Sequence, residues 1–225
     1  MELGSSTRHR ALIFANGDLN DGPAVQAALA HAGAAHIIAA DGGARMALAC
    51  GRVPDCVIGD MDSLTPEELD DLAARGAQIK RHPAAKDEID LELALLHAAE
   101  TGAQWIRVIG AVGNRMDQVL ANIYLLTLEA LAGRDVRLVS GQQTLWLLDP
   151  GTHDVRGEPG DTLSLVPLAG DVTNVRTEGL EYPLAGETLF FGPARGVSNA
   201  LADGVARVAF DAGRLIVVHT VGEPD

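Results

Sequence analysis

Residues 36–63 read HIIAADGGARMALACGRVPDCVIGDMDS, and this stretch decides the fold. Two apolar runs, Ile37–Ala40 and Cys56–Gly59, have the length and composition of buried strands. The alanine-rich segment between them, Ala44–Cys50, is typical of a helix. A strand, a helix and a second strand in this order predict neighbouring parallel strands, because parallel strands need a crossover connection.

The same alternation extends in both directions from this stretch. Short apolar runs predict further strands at Ala11–Ala15, Gln78–Arg81, Trp105–Gly110 and Val136–Ser140. Helices are predicted between them at Pro23–Ala32, Pro66–Arg75, Asp87–Thr101 and Met116–Ala132. The segment that begins at Thr65 is a strong helix start, with a capping hydroxyl, a proline at the first helical position and two glutamates in the first turn.

The character of the sequence changes near Gly141, where alanine-rich helical segments give way to short runs that end in Gly, Pro or Asp. These runs predict strands at Thr144–Leu148, Thr162–Pro167, Leu180–Leu184, Thr188–Gly192, Val205–Ala209 and Leu215–Thr220. We therefore predict two domains. An α/β domain with a parallel sheet spans residues 1–141, and a smaller all-β domain spans residues 142–225.

Composition and charge exclude several classes of protein. The 225 residues are 47% hydrophobic and 21% charged, which is typical of a globular chain and not of a disordered one. Seventeen Lys and Arg against 31 Asp and Glu give a net charge of −14, so nucleic acid and membrane surfaces are poor candidate partners. Neither Cys50 nor Cys56 has the spacing of a zinc site. We interpret both as reduced thiols and expect a cytoplasmic protein.

Two polar loops follow predicted strands at the edge where parallel sheets bind ligands. Asp41 is followed by Gly42 and Gly43, which would let backbone N–H groups approach phosphate oxygens, although such a sequence is also a common simple turn. Asp60 and Asp62 follow the next strand. Two carboxylates this close repel each other unless a cation neutralises them, so they predict a magnesium site. The alternative is that Asp62 or Ser63 merely caps the following turn.

Two further loops complete the candidate site. Asp87 and Asp90 are three residues apart and would share one face of a helix, although acids are also favoured in a first helical turn by the helix dipole. Gly113 and Arg115 suit a polyphosphate, whereas Asp117 could be an ordinary first-turn acid. Because the chain has no Walker A sequence, it is not a P-loop enzyme.

Together these motifs resemble those of the thiamine pyrophosphokinase family. The resemblance is carried, in order, by Ala40–Ala44, Gly59–Ser63, Lys86–Asp90, Gly113–Gln118, Glu178–Leu184 and Gly196–Asn199. It implies a Rossmann-like nucleotide domain followed by a β-sandwich, and a homodimer whose active sites lie between subunits. It also implies the transfer of a pyrophosphoryl group from ATP to thiamine with Mg²⁺, which gives thiamine diphosphate and AMP.

The resemblance further implies a role for each matching residue. The magnesium ligands would be Asp60, Asp62 and Asp90, and the thiamine pocket would include Ser198 and Asn199. The nucleotide would be bound by Asp41, Gly42, Gly43, Lys86, Asp87, Gly113 and Arg115. The catalytic residues would be Asp90, Asp117 and Arg115, with either aspartate as the acceptor of the hydroxyl proton.

Two other functions stay open on the sequence. One is a pyrophosphokinase for another acceptor, such as a hydroxymethyl-dihydropterin, and the other is a catalytically silent nucleotide-binding protein. The retained carboxylates and Arg115 argue against the silent protein, because a binding module does not need a complete set of metal ligands. Thiamine-dependent release of AMP would distinguish the three hypotheses.

Overall fold

The structure, a computed structural model, describes residues 9–85 and 87–222. The chain divides between Ser140 and Gly141 into two compact units. Within the described ranges, no helix is long and apolar enough to cross a membrane.

The first unit contains a parallel sheet whose strands are connected by helices. The strands are β1 (Arg10–Phe14), β2 (His36–Ala40), β3 (Cys56–Gly59), β4 (Gln78–Arg81), β5 (Trp105–Ile109) and β6 (Asp135–Ser140). The helices are α1 (Pro23–Ala32), α2 (Gly43–Ala49), α3 (Pro66–Ala74), α4 (Asp90–Glu100) and α5 (Met116–Tyr124). In space the strands run in the order β6-β5-β1-β2-β3-β4, and every pair is parallel. The predicted α/β class is confirmed for this part of the chain.

This strand order determines where a ligand can bind. The chain leaves β1 toward β2 and later returns to place β5 on the other side of β1. The connections on the two sides of β1 therefore diverge, and a crevice opens at the carboxyl ends of the strands. Strand β1 is completely buried from Ala11 to Phe14, as expected for a central parallel strand with both faces covered.

Local sequence signals explain several helix boundaries. The side chain of Thr65 accepts a hydrogen bond from the backbone of Glu68, whose carboxylate in turn accepts one from the backbone of Thr65. This capping box starts α3 at Pro66, as the sequence predicts. Arg45 also donates to the Glu68 carboxylate, and these hydrogen bonds lower the pKa of Glu68 to about 2.

Two helix predictions are wrong in part. Helix α4 begins at Asp90 and not at Asp87, because Ile89 is extended and its carbonyl accepts the first helical hydrogen bond, from Leu93. Asp87 therefore precedes the helix and does not share a helical face with Asp90.

The helix predicted at Met116–Ala132 is also too long, since α5 ends at Tyr124. Two short 3₁₀ turns, Leu125–Thr127 and Glu129–Leu131, follow it. The hydroxyl of Thr127 donates to the carbonyl of Tyr124, and such side-chain bonds compete with helix continuation. Leu128 between the turns is extended.

The second unit contains two antiparallel sets of strands. They are β7 (Gln143–Leu148), β8 (Gly151–Arg156), β9 (Thr162–Pro167), β10 (Val172–Glu178), β11 (Ala185–Leu189), β12 (Asn199–Ala200), β13 (Val205–Phe210) and β14 (Leu215–Thr220). One set runs in the order β12-β9-β14-β7 and the other in the order β11-β10-β13-β8. One core cluster draws side chains from both sets, including Trp146 and Val217 from the first and Val175 and Phe210 from the second.

Some strand predictions in this unit are wrong. Residues 180–184 are not a strand, although Leu180 makes an isolated bridge to Leu201. Strand β11 ends at Leu189, earlier than the predicted Thr188–Gly192. Strands β8 and β10 went unpredicted because they are rich in polar residues and bury only some of their side chains, so neither contains a continuous apolar run.

Candidate active site

A cavity of about 630 Å³ lies at the carboxyl ends of the central strands of the first unit. Its walls come from the loops after β1, β2, β3 and β5, from the segment before α4 and from the first turns of α5. Its lining residues include Asn16, Asp18, Asp41, Asp60, Asp62, Ser63, Asp87, Asp90, Gly113, Asn114, Arg115, Gln118 and Asn122. The predicted polar loops thus converge on one concave surface.

Three carboxylates form the most concentrated charge in the cavity. Asp41, Asp60 and Asp62 each place an oxygen within 4.8 Å of the others. No Lys, Arg or His among the described residues forms an ion pair with any of them. Three like charges at this separation are unfavourable, and bringing them together is consistent with a bound cation.

Asp41 is the most buried member of this group. Its side chain is 2% exposed, and its Oδ1 has no hydrogen-bond partner in the described chain. Its backbone has a φ of 46°, in the left-handed region that non-glycine residues rarely adopt. The backbone N–H of Asp41 donates to Ile58 O, which ties this strained residue to β3. Strain and an unsatisfied buried carboxylate oxygen together point to a functional position.

The loop after β3 also holds its carboxylates in place. The backbone N–H of Asp62 donates to Asp60 Oδ1 over 3.1 Å. Met61 between them has a φ of 67°, in the left-handed region, and the Asp60 and Asp62 oxygens lie within 4.8 Å of each other. The local conformation therefore presents two carboxylates together, as their spacing predicts.

Asp90 approaches the same group from the start of α4. A Cβ atom placed on Gly59 would lie 3.0 Å from both the Asp41 Cβ and the Asp90 Cγ. Gly59 also has a φ of 153°, which disfavours any other residue. A glycine at the end of β3 thus leaves room for Asp90 beside Asp41. Asp87 lines the cavity ahead of the helix, whereas Lys86 lies outside the described residues.

Arg115 and Asp117 form a two-pronged ion pair. Arg115 Nη2 lies 2.6 Å from Asp117 Oδ2, and Arg115 Nε donates to Asp117 Oδ1 over 3.3 Å. The hydrogen bond from Arg115 lowers the pKa of Asp117. Arg115 and Gly113 line the cavity, but Asp117 is not among its lining residues. Asp117 is therefore placed to orient the guanidinium group.

Gly42, which precedes α2, and Gly43, its first residue, pack against the protein itself and not against the cavity. A Cβ on Gly43 would lie 2.1 Å from the carbonyl oxygen of Phe14, and one on Gly42 would lie 2.4 Å from Asn16 Oδ1. Neither glycine is among the cavity-lining residues. Close packing against β1 and the loop after it explains why glycine stands at both positions. Their role in nucleotide binding stays a prediction.

Sequence reasoning missed the loop after β1. Asn16 and Asp18 line the cavity, and Asn114 Nδ2 donates to Asp18 Oδ2 over 3.0 Å. The available signal was the run of polar residues directly after the first strand, at the point where the strand order reverses. Asn122 on α5 was missed as well. Its Nδ2 donates to Ala111 O, and its buried Oδ1 has no hydrogen-bond partner within the described ranges.

Ser198 and Asn199 lie in the second unit. The backbone N–H of Ser198 donates to Ser164 Oγ, and Ser198 has a φ of 59°. The Asn199 side chain accepts from Tyr182 N and donates to Tyr182 O, so its amide holds the backbone at Tyr182 in place. Their predicted contact with thiamine stays a prediction.

Comparisons with known proteins agree over most of the chain. Two family models match it: "thiamin pyrophosphokinase, catalytic domain" over residues 28–139, and "thiamin pyrophosphokinase, vitamin B1 binding domain" over residues 152–215. Thiamine pyrophosphokinase from Bacillus subtilis (strain 168) is 29% identical over 184 residues, which are 81% of this chain and 86% of that protein.

Solved structures show the same similarity. The crystal structure of thiamine pyrophosphokinase from Bacillus subtilis has a TM-score of 0.84 and 28% identity, covering 94% of this chain and 99% of that one. A thiamin pyrophosphokinase family protein from Enterococcus faecalis has a TM-score of 0.82 and 28% identity, covering 96% and 100% of the two chains.

Proposed function

Since the chain belongs to the thiamine pyrophosphokinase family, we propose that it transfers the pyrophosphoryl group of ATP to the hydroxyl group of thiamine. The hydroxyl oxygen forms a bond to the β-phosphorus, and the bond from that phosphorus to the oxygen shared with the α-phosphate breaks. AMP leaves with the electron pair, and the hydroxyl proton passes to a base. The observation that carries the proposal is the group of Asp41, Asp60 and Asp62 in the cavity.

The donor set of this group fits a divalent cation. Carboxylate oxygens are the ligands that Mg²⁺ prefers, and the unpartnered buried oxygen of Asp41 is the kind of atom that a cation would satisfy. We propose that Asp60, Asp62 and Asp90 hold Mg²⁺, as the resemblance implies, and that Asp41 contributes as well. When bound, the ion supplies positive charge that offsets the charge of the phosphates.

The remaining polar residues of the cavity would position the substrates. Arg115 would donate to phosphate oxygens, with Gly113 leaving room for their approach and Asp87 and Lys86 completing the nucleotide contacts. The lowered pKa of Asp117 makes it a weak proton acceptor, and its ion pair with Arg115 supports a role in orientation. Of the two predicted acceptors, only Asp90 lines the cavity, so we propose it as the residue that reaches the hydroxyl proton.

We further propose that the first unit is a Rossmann-like nucleotide domain and that the second is a β-sandwich that binds thiamine through Ser198 and Asn199.

A homodimer is supported by an exposed apolar stripe on α5. Met116, Leu120 and Tyr124, spaced four apart on one helical face, are 74%, 54% and 56% exposed. The stripe begins beside Arg115 at the cavity, and a second copy of the chain would cover it. Light scattering should find a dimer that Leu120→Glu weakens and that Leu19→Glu, at an exposed loop position, leaves intact.

The deciding experiment identifies the product nucleotide. Purified protein with ATP and MgCl₂ should release AMP in step with thiamine diphosphate when thiamine is present, and should release none with a hydroxymethyl-dihydropterin acceptor. Asp62→Asn should abolish most of this reaction, whereas Asp70→Asn on the exposed face of α3 should not. Release of ADP, or AMP release that does not depend on thiamine, would contradict the proposal.

A further inference from the structure

A chain of hydrogen bonds connects the loop after β1 to the loop after β3. Asn16 Nδ2 donates to Ser63 Oγ over 3.0 Å, although the two residues are 47 positions apart. Ser63 Oγ donates in turn to Asp62 Oδ1 over 3.1 Å. All three residues line the cavity, and β2 lies between the two strands in the sheet.

The chemistry of these groups gives the chain of hydrogen bonds one direction. An amide nitrogen can only donate, so the Ser63 hydroxyl must accept from Asn16. The single hydroxyl proton then points to Asp62, whose ionised carboxylate can only accept. Asn16 thus determines the direction of the Ser63 proton, and Ser63 determines the orientation of the Asp62 carboxylate.

Asp62 needs such support more than Asp41 does. Asp62 is exposed, whereas Asp41 is held in a buried turn. An exposed aspartate samples several rotamers, and a cation site requires one of them. Gly42 contributes indirectly, because any side chain at that position would displace the amide of Asn16. Since Gly42 has a φ of −58°, alanine there is disfavoured by space and not by backbone conformation.

From these contacts we propose that Asn16 and Ser63 are positioning residues that orient Asp62 for cation binding. The proposal rests on the proposed function, since it takes the carboxylate group to be a metal site. Neither residue is required to touch the substrates. Their loss should therefore weaken the affinity for the divalent cation and raise the Mg²⁺ concentration needed for activity, while the KM for thiamine stays unchanged.

The test measures cation binding directly, without turnover. Mn²⁺ is titrated into metal-free protein and followed by electron paramagnetic resonance. Ser63→Ala should weaken Mn²⁺ binding by about 10-fold, within the range typical of residues that hold metal ligands. Ser63→Thr keeps the hydroxyl and should bind nearly as the parent does. Asn16→Leu and Gly42→Ala should each weaken binding by a smaller factor.

A double variant separates this chain of hydrogen bonds from two unrelated contributions. If Asn16 acts through Ser63, adding Asn16→Leu to Ser63→Ala should weaken binding no further. Additive effects would overturn the proposal, as would unchanged Mn²⁺ affinity in Ser63→Ala or no Mn²⁺ binding by the parent. Failure of the proposed function would give a different result. The variants would then bind Mn²⁺ in the expected order, but the parent protein would release no AMP with thiamine.

Discussion

The carboxyl and amino ends of the parallel strands, called here the carboxyl edge and the amino edge, differ in whether their charged side chains are paired within the chain. At the carboxyl edge, Asp41, Asp60 and Asp62 lie together with no described cationic side chain paired to them. Near the amino edge, Arg107 is buried, and its Nη2 lies 2.7 Å from Asp135 Oδ2. The other oxygen of Asp135 accepts from Arg137 at the same distance, and the guanidinium of Arg107 lies 4.5 Å from the ring centroid of Trp105.

The pKa shifts at the amino edge reflect this internal pairing. Burial lowers the pKa of Arg107 to about 10, so it still carries its charge at neutral pH. Burial raises the pKa of Asp135, but the hydrogen bond from Arg107 and the charge of Arg137 outweigh burial, and the pKa is lowered overall. Removing one partner of such a compensated pair destabilises the fold, whereas charges that lack a partner are available to a ligand.

The largest expected effect is at the carboxyl edge. Asp62→Asn should reduce AMP formation with thiamine by at least about 100-fold, because a neutral amide is a poor ligand for a hard cation. Circular dichroism should show an unchanged fold. Near-normal activity of Asp62→Asn would contradict the hypothesis that these carboxylates bind a cation needed for the reaction. Asp70→Asn serves as the exposed control.

A substitution at the amino edge should lower stability and leave activity unchanged. Asp135→Ala leaves Arg107 without its carboxylate and should lower the free energy of unfolding by about 2 kcal/mol, less than for a fully buried pair because the Asp135 side chain is 38% exposed. Urea denaturation measures the loss, and activity per folded molecule should be unchanged. Asp154→Ala, which removes an exposed ion pair with Arg207, should lower the free energy of unfolding much less, because solvent screens that pair. Equal costs for the two variants would contradict the comparison.

A third substitution tests whether the carboxylate group is strained without metal. Asp41→Asn removes one of three like charges and should stabilise the metal-free protein by about 1 kcal/mol. Thermal unfolding should then show a higher Tm without metal and a smaller rise on adding MgCl₂. A lower Tm in the absence of metal would mean that Asp41 is primarily a structural residue.

The smallest expected effect is a pH dependence near the end of α4. Burial lowers the pKa of His97, and the charges of Lys80 and His36 lower it further, against a smaller opposing effect of Glu100. The unfolded chain therefore holds this proton at a higher pH than the folded one. Stability should be fully present above the ordinary histidine pKa of 6.5 and should fall as the pH drops through the lowered value.

Urea midpoints at about pH 7.5 and about pH 5.5 test this dependence. His97→Gln should reduce the difference between the two midpoints, whereas the exposed His9→Gln should not. If His97→Gln leaves the difference between the two midpoints unchanged, the pH dependence comes from other groups.

Much of the site could be predicted because it is built from local segments. The apolar runs before Asp41 and Asp60 predict parallel strands, and parallel strands bring their following loops to one edge. The loop motifs for Asp90 and Arg115 were predicted for the same reason. Asp87 was placed in a helix wrongly, because first-turn acids are favoured over a range of positions and the pattern does not locate the first helical residue.

By itself, the sequence determined the parallel α/β part, the change to β structure near Gly141 and the loops that carry the carboxylates, because strand periodicity, helix capping and glycine turns act over a few neighbouring residues. The tertiary structure decided that Asp41 joins Asp60 and Asp62, that Asn16 reaches Ser63, and that Asp117 pairs with the cavity-lining Arg115 without lining the cavity itself. The distances within the carboxylate group and between Asn16 and Ser63 depend on strand order and close packing, and residues so far apart in the chain carry no local signal of their contact.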